Sequence, residues 1–393
     1  MSPESFHLAE IAVPHDPKGA WGAVMDGMAQ CSVECQLERY GYDDLADDAT
    51  ESDLLHFHDQ RDRRKLWLVA LAGPRPVDAI DGQMAGVRLV RPEPDQEVAS
   101  PDDVLAVCYA NAPLTDNTHL IDAGEPQVRP TARGLGIDEA LFAVHDQFAR
   151  ANDRSTVLGW VGHRGAEAAA DDPDAVIDPT GEVRLDRADP TVTRYLAAGY
   201  SLAQAERHSV QPIPVPDEVL APACDPSRAE AGGYQVLQWT GLTPDEWLED
   251  MAALNTAMST DPPLGDVDWR PEIWDAERVR RQEERSLLDG TFATTVIRHR
   301  ASGRLVGFTQ LLASSRKPAV AFQWSTIVLD GHRGHGLGLL LKAANARLLH
   351  EAFPSVQRVH TWNADENDHM LGINIALGYV REDFGACWQK VLL

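Results

Sequence analysis

Residues 333–338 read Arg-Gly-His-Gly-Leu-Gly, set between the β-branched run Thr326-Ile327-Val328 and a helix that opens with Leu339-Leu340-Leu341-Lys342. Strand, tight loop and helix start aim several backbone N–H groups at one point, together with the positive end of the helix dipole. Glycine at 334, 336 and 338 lets the backbone approach a diphosphate without Cβ atoms in the way. Arg333, His332, His335 and Lys342 surround the loop with positive or potentially positive groups. The chemistry predicted is the holding of a phosphorylated ligand. A Walker loop would need Gly-x4-Gly-Lys-Ser/Thr, and a dinucleotide loop Gly-x-Gly-x-x-Gly; neither order is present here.

Downstream, Val359–Trp362 reads as a buried strand, Asn363 to Asn367 as a polar break, and a short helix ends at Gly378-Tyr379. Arg-x-x-Gly-x-Gly, followed by Asn367, Met370 and Gly378-Tyr379, closely resembles the acyl-CoA site of the GNAT superfamily of N-acetyltransferases. The resemblance implies a cofactor site made of Thr326, Ile327, Val328, Arg333, Gly334, His335, Gly336, Leu337, Gly338, Asn363 and Asn367. In it the strand backbone and the asparagines hold the pantetheine arm, and the loop holds the pyrophosphate of acetyl-CoA. The tyrosine usual in the family as general acid is Asn374 here. Asparagine donates a hydrogen bond but releases no proton. Tyr379 could substitute, though its place after Gly378 suits core packing.

A second copy lies 200 residues upstream. Val128, Arg133, Gly134, Gly136 and Leu141 match Val328, Arg333, Gly334, Gly336 and Leu341, and Gly199-Tyr200 matches Gly378-Tyr379. Asp138 stands where Gly338 stands, and its carboxylate would repel a pyrophosphate. An acidic insertion at 170–190 replaces the asparagine signature. The first copy is therefore expected to shape or support, and the second to catalyse.

The elements that must position these residues follow the GNAT order over 234–393, and the chain of 393 residues is long enough for two domains. The expected fold is α/β (α+β): two tandem GNAT-like domains, each a mixed, mostly antiparallel sheet with a splayed parallel central strand pair and flanking helices. The Pro/Ala/Gly stretch at 220–233 places the boundary, giving 1–228 and 229–393. Thr243-Pro244-Asp245-Glu246 reads as a helix start with Thr243 as N-cap.

The formal charge of −26 argues against a nucleic-acid or anionic-membrane partner. No apolar run reaches the ~18 residues of a membrane span. The first residues lack a secretion signal, and the five scattered cysteines suit a reducing cytoplasm. Cys31-x3-Cys35 and His56-x-His58 lack the further ligands a metal needs, so no metal is expected. A monomer or homodimer is expected.

The resemblance implies an acetyl-CoA-dependent N-acetyltransferase, and the acidic loop at 259–272 with its Trp269 points to a small, cationic amine as acceptor. Candidate catalytic groups are Asn374 and, in the acidic loop 259–272, Asp266 and Asp268. Asp365 and Glu366 close the second strand. A non-enzymatic acyl-CoA sensor and an O-acetyltransferase are the alternatives.

Overall fold

The computed structural model describes residues 5–11, 22–46, 59–74, 80–81, 90–91, 100–224 and 232–392. His56, His58 and the linker residues 225–231 lie outside the described residues. The chain forms two compact units. The first comprises 1–204, 266–268 and 386–393, and the second 205–265 and 269–385.

The first unit runs β1 (Phe6–Glu10), α1 (Gly22–Tyr40), β2 (Arg63–Ala72), β3 (Val104–Pro113), β4 (Leu120–Ala123), β5 (Gln127–Val128), α2 (Ile137–Ala151), β6 (Thr156–Gly162) and α3 (Pro190–Ala197), and begins β7 (Ser201–Pro212). β1, β2 and β3 are antiparallel, and β3 pairs β4 and β5 in the same sense. β4 and β6 are parallel, from Leu120↔Thr156 to Ala123↔Gly159. Val24, Met25 and Met28 of α1 pack on Val69, Leu71 and Val104. The acidic insertion folds as a short hairpin, Val176–Ile177 with Arg184–Leu185. Asp189 then caps α3, accepting from the N–H groups of Thr191 and Val192.

The second unit continues β7 and adds α4 (Asp217–Ala223), β8 (Tyr234–Thr240), α5 (Leu248–Met258), α6 (Ala276–Ser286), β9 (Gly290–His299), β10 (Leu305–Ser314), β11 (Val320–Val328), α7 (Leu337–Ala352), β12 (Arg358–Ala364) and α8 (Asp368–Ala376), and opens β13 (Val380–Val391). Strand order is β8-β9-β10-β11-β12-β7. Every pairing is antiparallel except β11 with β12. The expected mixed, mostly antiparallel fold with a parallel central pair is the one observed.

Residues 205–224, expected with the first domain, pack in the second compact unit. β7 pairs with β12 from Glu206↔Ala364 to Pro212↔Arg358, and Ile213, Val215 and Leu220 bury against Ala343, Ala346 and Leu349 of α7. Conversely, Trp388 is buried in the first unit, its ring 5.3 Å from that of Tyr195 and its indole N–H donating to His163 at 2.9 Å. The apolar side chains decide each assignment, and a proline-rich composition does not. Thr243, expected to cap a helix, instead donates its hydroxyl to Glu283. Residues 245–247 form a single 3-10 turn, and α5 starts at Leu248.

Candidate functional site

The parallel ladder of β11 and β12 holds only from Val320↔Arg358 to Phe322↔His360. Beyond that pair the two strands are no longer bonded. At the same point β11 is irregular, and its register with β10 shifts between Thr309↔Thr326 and Leu311↔Gln323. The bulge inverts which face each side chain takes. Ala321 packs in the core under α7, whereas Ile327 packs in the core with Met251 and Val279 of α5 and α6. Thr326, Ile327 and Val328 bond β10 on one edge only. Their other edge lines the gap, so their backbone groups are available to an extended ligand arm.

Val328 leads to the loop. Gly334 and Gly336 lie in the left-handed region, at φ 80° and 70°, which only glycine adopts without strain. The first intrahelical bond of α7 runs from the Leu340 N–H to the Gly336 carbonyl. The N–H groups of 334–339 donate to no backbone carbonyl among the described residues, which makes the loop a cradle for an anion. A Cβ at Gly338 would meet Ile373 Cδ1 of α8 at 3.1 Å, so the helices approach closely there. The loop therefore fits a pyrophosphate.

Of the side chains expected around the loop, several point elsewhere. Arg333 is held by Asp261 at 2.9 Å, by Asp330, and by the Val328 carbonyl that accepts from Nε. Leu337 is buried in the core, so only its backbone faces the loop. His332 accepts from or donates to the Tyr234 hydroxyl at 3.0 Å. Burial, then His299 and His335, lower its pKa. Lys342 is buried away from the loop and donates to Gln323 Oε1 at 2.9 Å.

Asn363 and Asn374 come together. Asn374 Nδ2 donates to Asn363 Oδ1 at 2.7 Å, which also accepts from the Thr361 hydroxyl at 3.2 Å. Asn374 Oδ1 is buried with no partner among the described residues. Asn367 caps α8, its Oδ1 accepting from the Met370 N–H at 3.2 Å. Tyr379 is core, as expected.

Asp266 and Asp268 fall in the first unit. The Asp266 N–H donates to the Ala203 carbonyl, and the Asp268 carboxylate sits 3.1 Å from His119 Nε2. Two further carboxylates of that loop are paired, as Asp268 is: Asp261 with Arg333, and Glu272 with Arg278 at 3.0 Å. Asp365 pairs with Arg207 at 2.7 Å. An acidic loop that looked free to attract a cation is thus largely neutralised by its own protein.

The face of the gap opposite α7 holds groups not singled out from the sequence. His360, at the last parallel pair, accepts from or donates to His208 Nε2 at 3.0 Å, and His208 Nδ1 donates to Asp383 at 2.7 Å. All three are buried. Trp362 stacks on His208, with ring centroids 4.5 Å apart. Glu206 lies on the same face of β7 as His208, since Gly385 lies against both Glu206 and Trp362. Burial, reinforced by the charge of Glu366, pushes the Glu206 carboxyl up to about 7. The signal was the alternation Gln204, Glu206, His208, polar side chains two residues apart on one face of the strand.

The first unit repeats the loop and the early end of the parallel ladder, at Ala123↔Gly159, but sets paired charges beyond it. Gly134 and Gly136 have φ 80° and 81°, nearly the values of their counterparts. Past the last parallel pair, however, Glu125 is bonded to Arg39 at 2.6 Å and lies 3.7 Å from Arg194. Burial pushes the Glu125 carboxyl up, and Arg39 and Arg194 more than reverse it. Arg194 also binds Asp138 at 2.5 Å. The arginine of this loop, Arg133, pairs with Glu38 at 2.9 Å. Asp138 thus engages an internal arginine at the spot where repulsion of a pyrophosphate was expected.

No family model and no curated protein matches the sequence. Solved structures do match. A tandem GNAT protein from the clavulanic acid biosynthesis pathway superposes with TM-score 0.68 at 23% identity, over 98% of both chains. A GCN5-related N-acetyltransferase from Sphaerobacter thermophilus gives 0.55 at 13% identity, over 100% of this chain and 97% of that one. A glucosamine N-acetyltransferase region of a fungal multi-domain β-N-acetylglucosaminidase gives 0.55 at 11%, over 99% of this chain and 38% of that one. The chain has the tandem GNAT fold.

Proposed function

We propose that the protein transfers an acetyl group from acetyl-CoA to a small amine, in the second unit. The observation that carries this reading is the break of the β11–β12 ladder after Phe322↔His360, next to a glycine loop with unbonded N–H groups. From Val328 to Gln323 the strand runs roughly 16 Å, at ~3.3 Å per residue. An extended pantetheine arm matches that span, with the pyrophosphate at 334–338 and the thioester near Gln323. Arm and strand pair through the backbone, which explains why Thr326, Ile327 and Val328 need only be β-formers.

Acetyl transfer needs the reactants held in line and the amine deprotonated. Glu206 is the base in this reading. Near pH 7 it is poised to accept a proton, and its carboxyl shares a face with Trp362. An acidic pair, Glu206 and Glu366, beside an aromatic ring also favours a protonated amine on approach. The preference for a cationic acceptor rests on this group and on the overall charge, since Asp261, Asp268 and Glu272 of the 259–272 loop are engaged.

The test has two arms. Calorimetry with acetyl-CoA is expected to give one site per chain, and two equivalent tight sites would remove the assignment to the second unit. Thiol release is then followed with polyamines, aminoglycosides, amino acids, basic peptides and alcohols at two salt concentrations. A small cationic amine is expected to react fastest, with an apparent affinity that falls as salt rises. Binding without turnover on any acceptor would favour a sensor, and reaction with alcohols alone would favour O-acetylation.

A further inference from the structure

Lys342 is 3% exposed, in the second turn of α7, on a helix whose other buried side chains are mostly apolar. Its ammonium donates to Gln323 Oε1 and lies 4.9 Å from the centre of the Tyr379 ring. Gln323 is neutral and anchored by its amide to the Gln310 carbonyl at 2.8 Å. Tyr379 is the titratable neighbour, and burial pushes its phenol above the ordinary range. No carboxylate pairs with Lys342 among the described residues. A cation buried without an anion is costly.

The first unit shows what this position becomes without a built cofactor gap. Phe142 stands at the matching site on α2, 5.5 Å from Tyr200, as Lys342 stands over Tyr379. Packing alone is satisfied by phenylalanine. The lysine occurs in the copy that keeps Gly338 and the open gap.

Its location fits a purpose. Gly338 and Lys342 are four residues apart, on one face of α7. Gly338 lies at the loop, and Lys342 reaches Gln323, the first β11 residue past the last parallel pair. Lys342 therefore sits at the inner end of the gap, on the face opposite Glu206 and Trp362.

We propose that Lys342 donates the proton that neutralises the departing coenzyme A sulfur. This rests on the acetyl-transfer reading above. The amine lone pair forms the C–N bond to the thioester carbon. The C–S bond breaks with its electron pair on sulfur, and an ammonium proton of Lys342 moves to that sulfur, giving free thiol. The proton lost by the amine passes to Glu206 and then to water, and the neutral Lys342 amine is reprotonated from water.

The driving force has the right sign. Desolvation lowers the Lys342 pKa to about 7. A thiol near ~8.5 accepts a proton from such a lysine, whereas an ordinary lysine near ~10.4 would retain it. Tyr379 would retain its proton more firmly still. A base on one face and an acid on the other replace the tyrosine that position 374 lacks.

The experiment measures CoA and desulfo-CoA binding by calorimetry, and kcat against pH with acetyl-CoA and the fastest acceptor of the panel. Wild type, Lys342→Met and Lys342→Gln are compared. Wild type is expected to bind CoA about tenfold tighter than desulfo-CoA, and to lose kcat on an alkaline limb. Both variants are expected to bind desulfo-CoA as wild type does, to lose the preference for sulfur and the alkaline limb, and to fall about a hundredfold in kcat. Equal wild-type affinity for the two ligands overturns the proposal even if neither variant folds. An alkaline limb that persists in a folded variant overturns it too. A wild type that binds no CoA removes the acetyl-transfer reading, and this inference with it.

Discussion

Asp138 and Arg194 meet at 2.5 Å in the first unit, at the helix position that Gly338 occupies in the second. One position on one repeated motif thus serves two purposes. In the first unit the carboxylate ties the start of α2 to α3, within a network that continues through Glu125 to Arg39. In the second, the absence of a side chain lets the start of α7 lie close to Ile373 of α8.

Replacing Asp138 with glycine should therefore not restore a nucleotide site. Arg194 would be left with Glu125 at 3.7 Å. The pair is partly exposed, so the loss should be about 1–2 kcal/mol of stability, below that of a fully buried pair. Thermal unfolding together with CoA titration checks this. A second binding stoichiometry in Asp138→Gly would show that the network is not what closes the first unit.

Gly338→Asp should weaken acetyl-CoA binding by about 1–3 kcal/mol, because it adds a negative charge in the first turn of α7, next to the partly desolvated cradle. Gly338→Ala is the control for bulk. Its Cβ would press on Ile373 Cδ1 at 3.1 Å, the end of a flexible side chain that can turn aside. Equal losses in the two variants would assign the effect to crowding. Arg333→Ala should cost less than Gly338→Asp, since Arg333 is already held by Asp261 and Asp330.

Glu206 must be ionised to accept a proton, and burial places its pKa at about 7. The wild-type kcat/KM should therefore rise with pH through that region. Glu206→Gln should remove this acid limb and lower the rate about 10²–10³-fold. An unchanged limb in the variant would move the base elsewhere, with His360 the next group to replace.

Stability should carry the signature of Lys342 independently of any activity. Its pKa is lowered in the fold from the ordinary 10.5 to about 7. Between these values the unfolded chain holds a proton that the folded chain does not, so stability rises with pH across that window. The slope is about 1.4 kcal/mol per pH unit at most. Denaturant unfolding of wild type minus Lys342→Met, from pH 7 to 10, isolates it. A difference that does not change with pH would mean the ammonium is solvated.

Asn374→Ala should lower turnover by less than about a hundredfold, or ~2.7 kcal/mol. Its amide orients Asn363 at 2.7 Å and has no proton to give. A larger loss in kcat with CoA affinity intact would assign it a direct role at the thioester.

The sequence by itself determined the loop, the repeat and the order of elements. Glycine at 334 and 336 reports a left-handed backbone wherever it sits, and the 200-residue offset carried that conformation to 134 and 136. Such signals are local, because a φ angle or a strand–loop–helix order depends on neighbours in the chain. What the tertiary structure alone decided were the partners of charged groups. Asp268 looked like a free carboxylate until His119 was placed beside it, and Asp261 until Arg333 was. Lys342 read as one more cation around the loop, yet the helix turns it inward to Gln323 and Tyr379. Glu206 and His208 of β7 and Asp383 of β13 come from strands far apart in the chain, and His208 meets Asp383 only through sheet pairing. A carboxylate or an ammonium acquires its chemistry from desolvation and from the charge within a few ångströms, and neither is encoded at the residue itself.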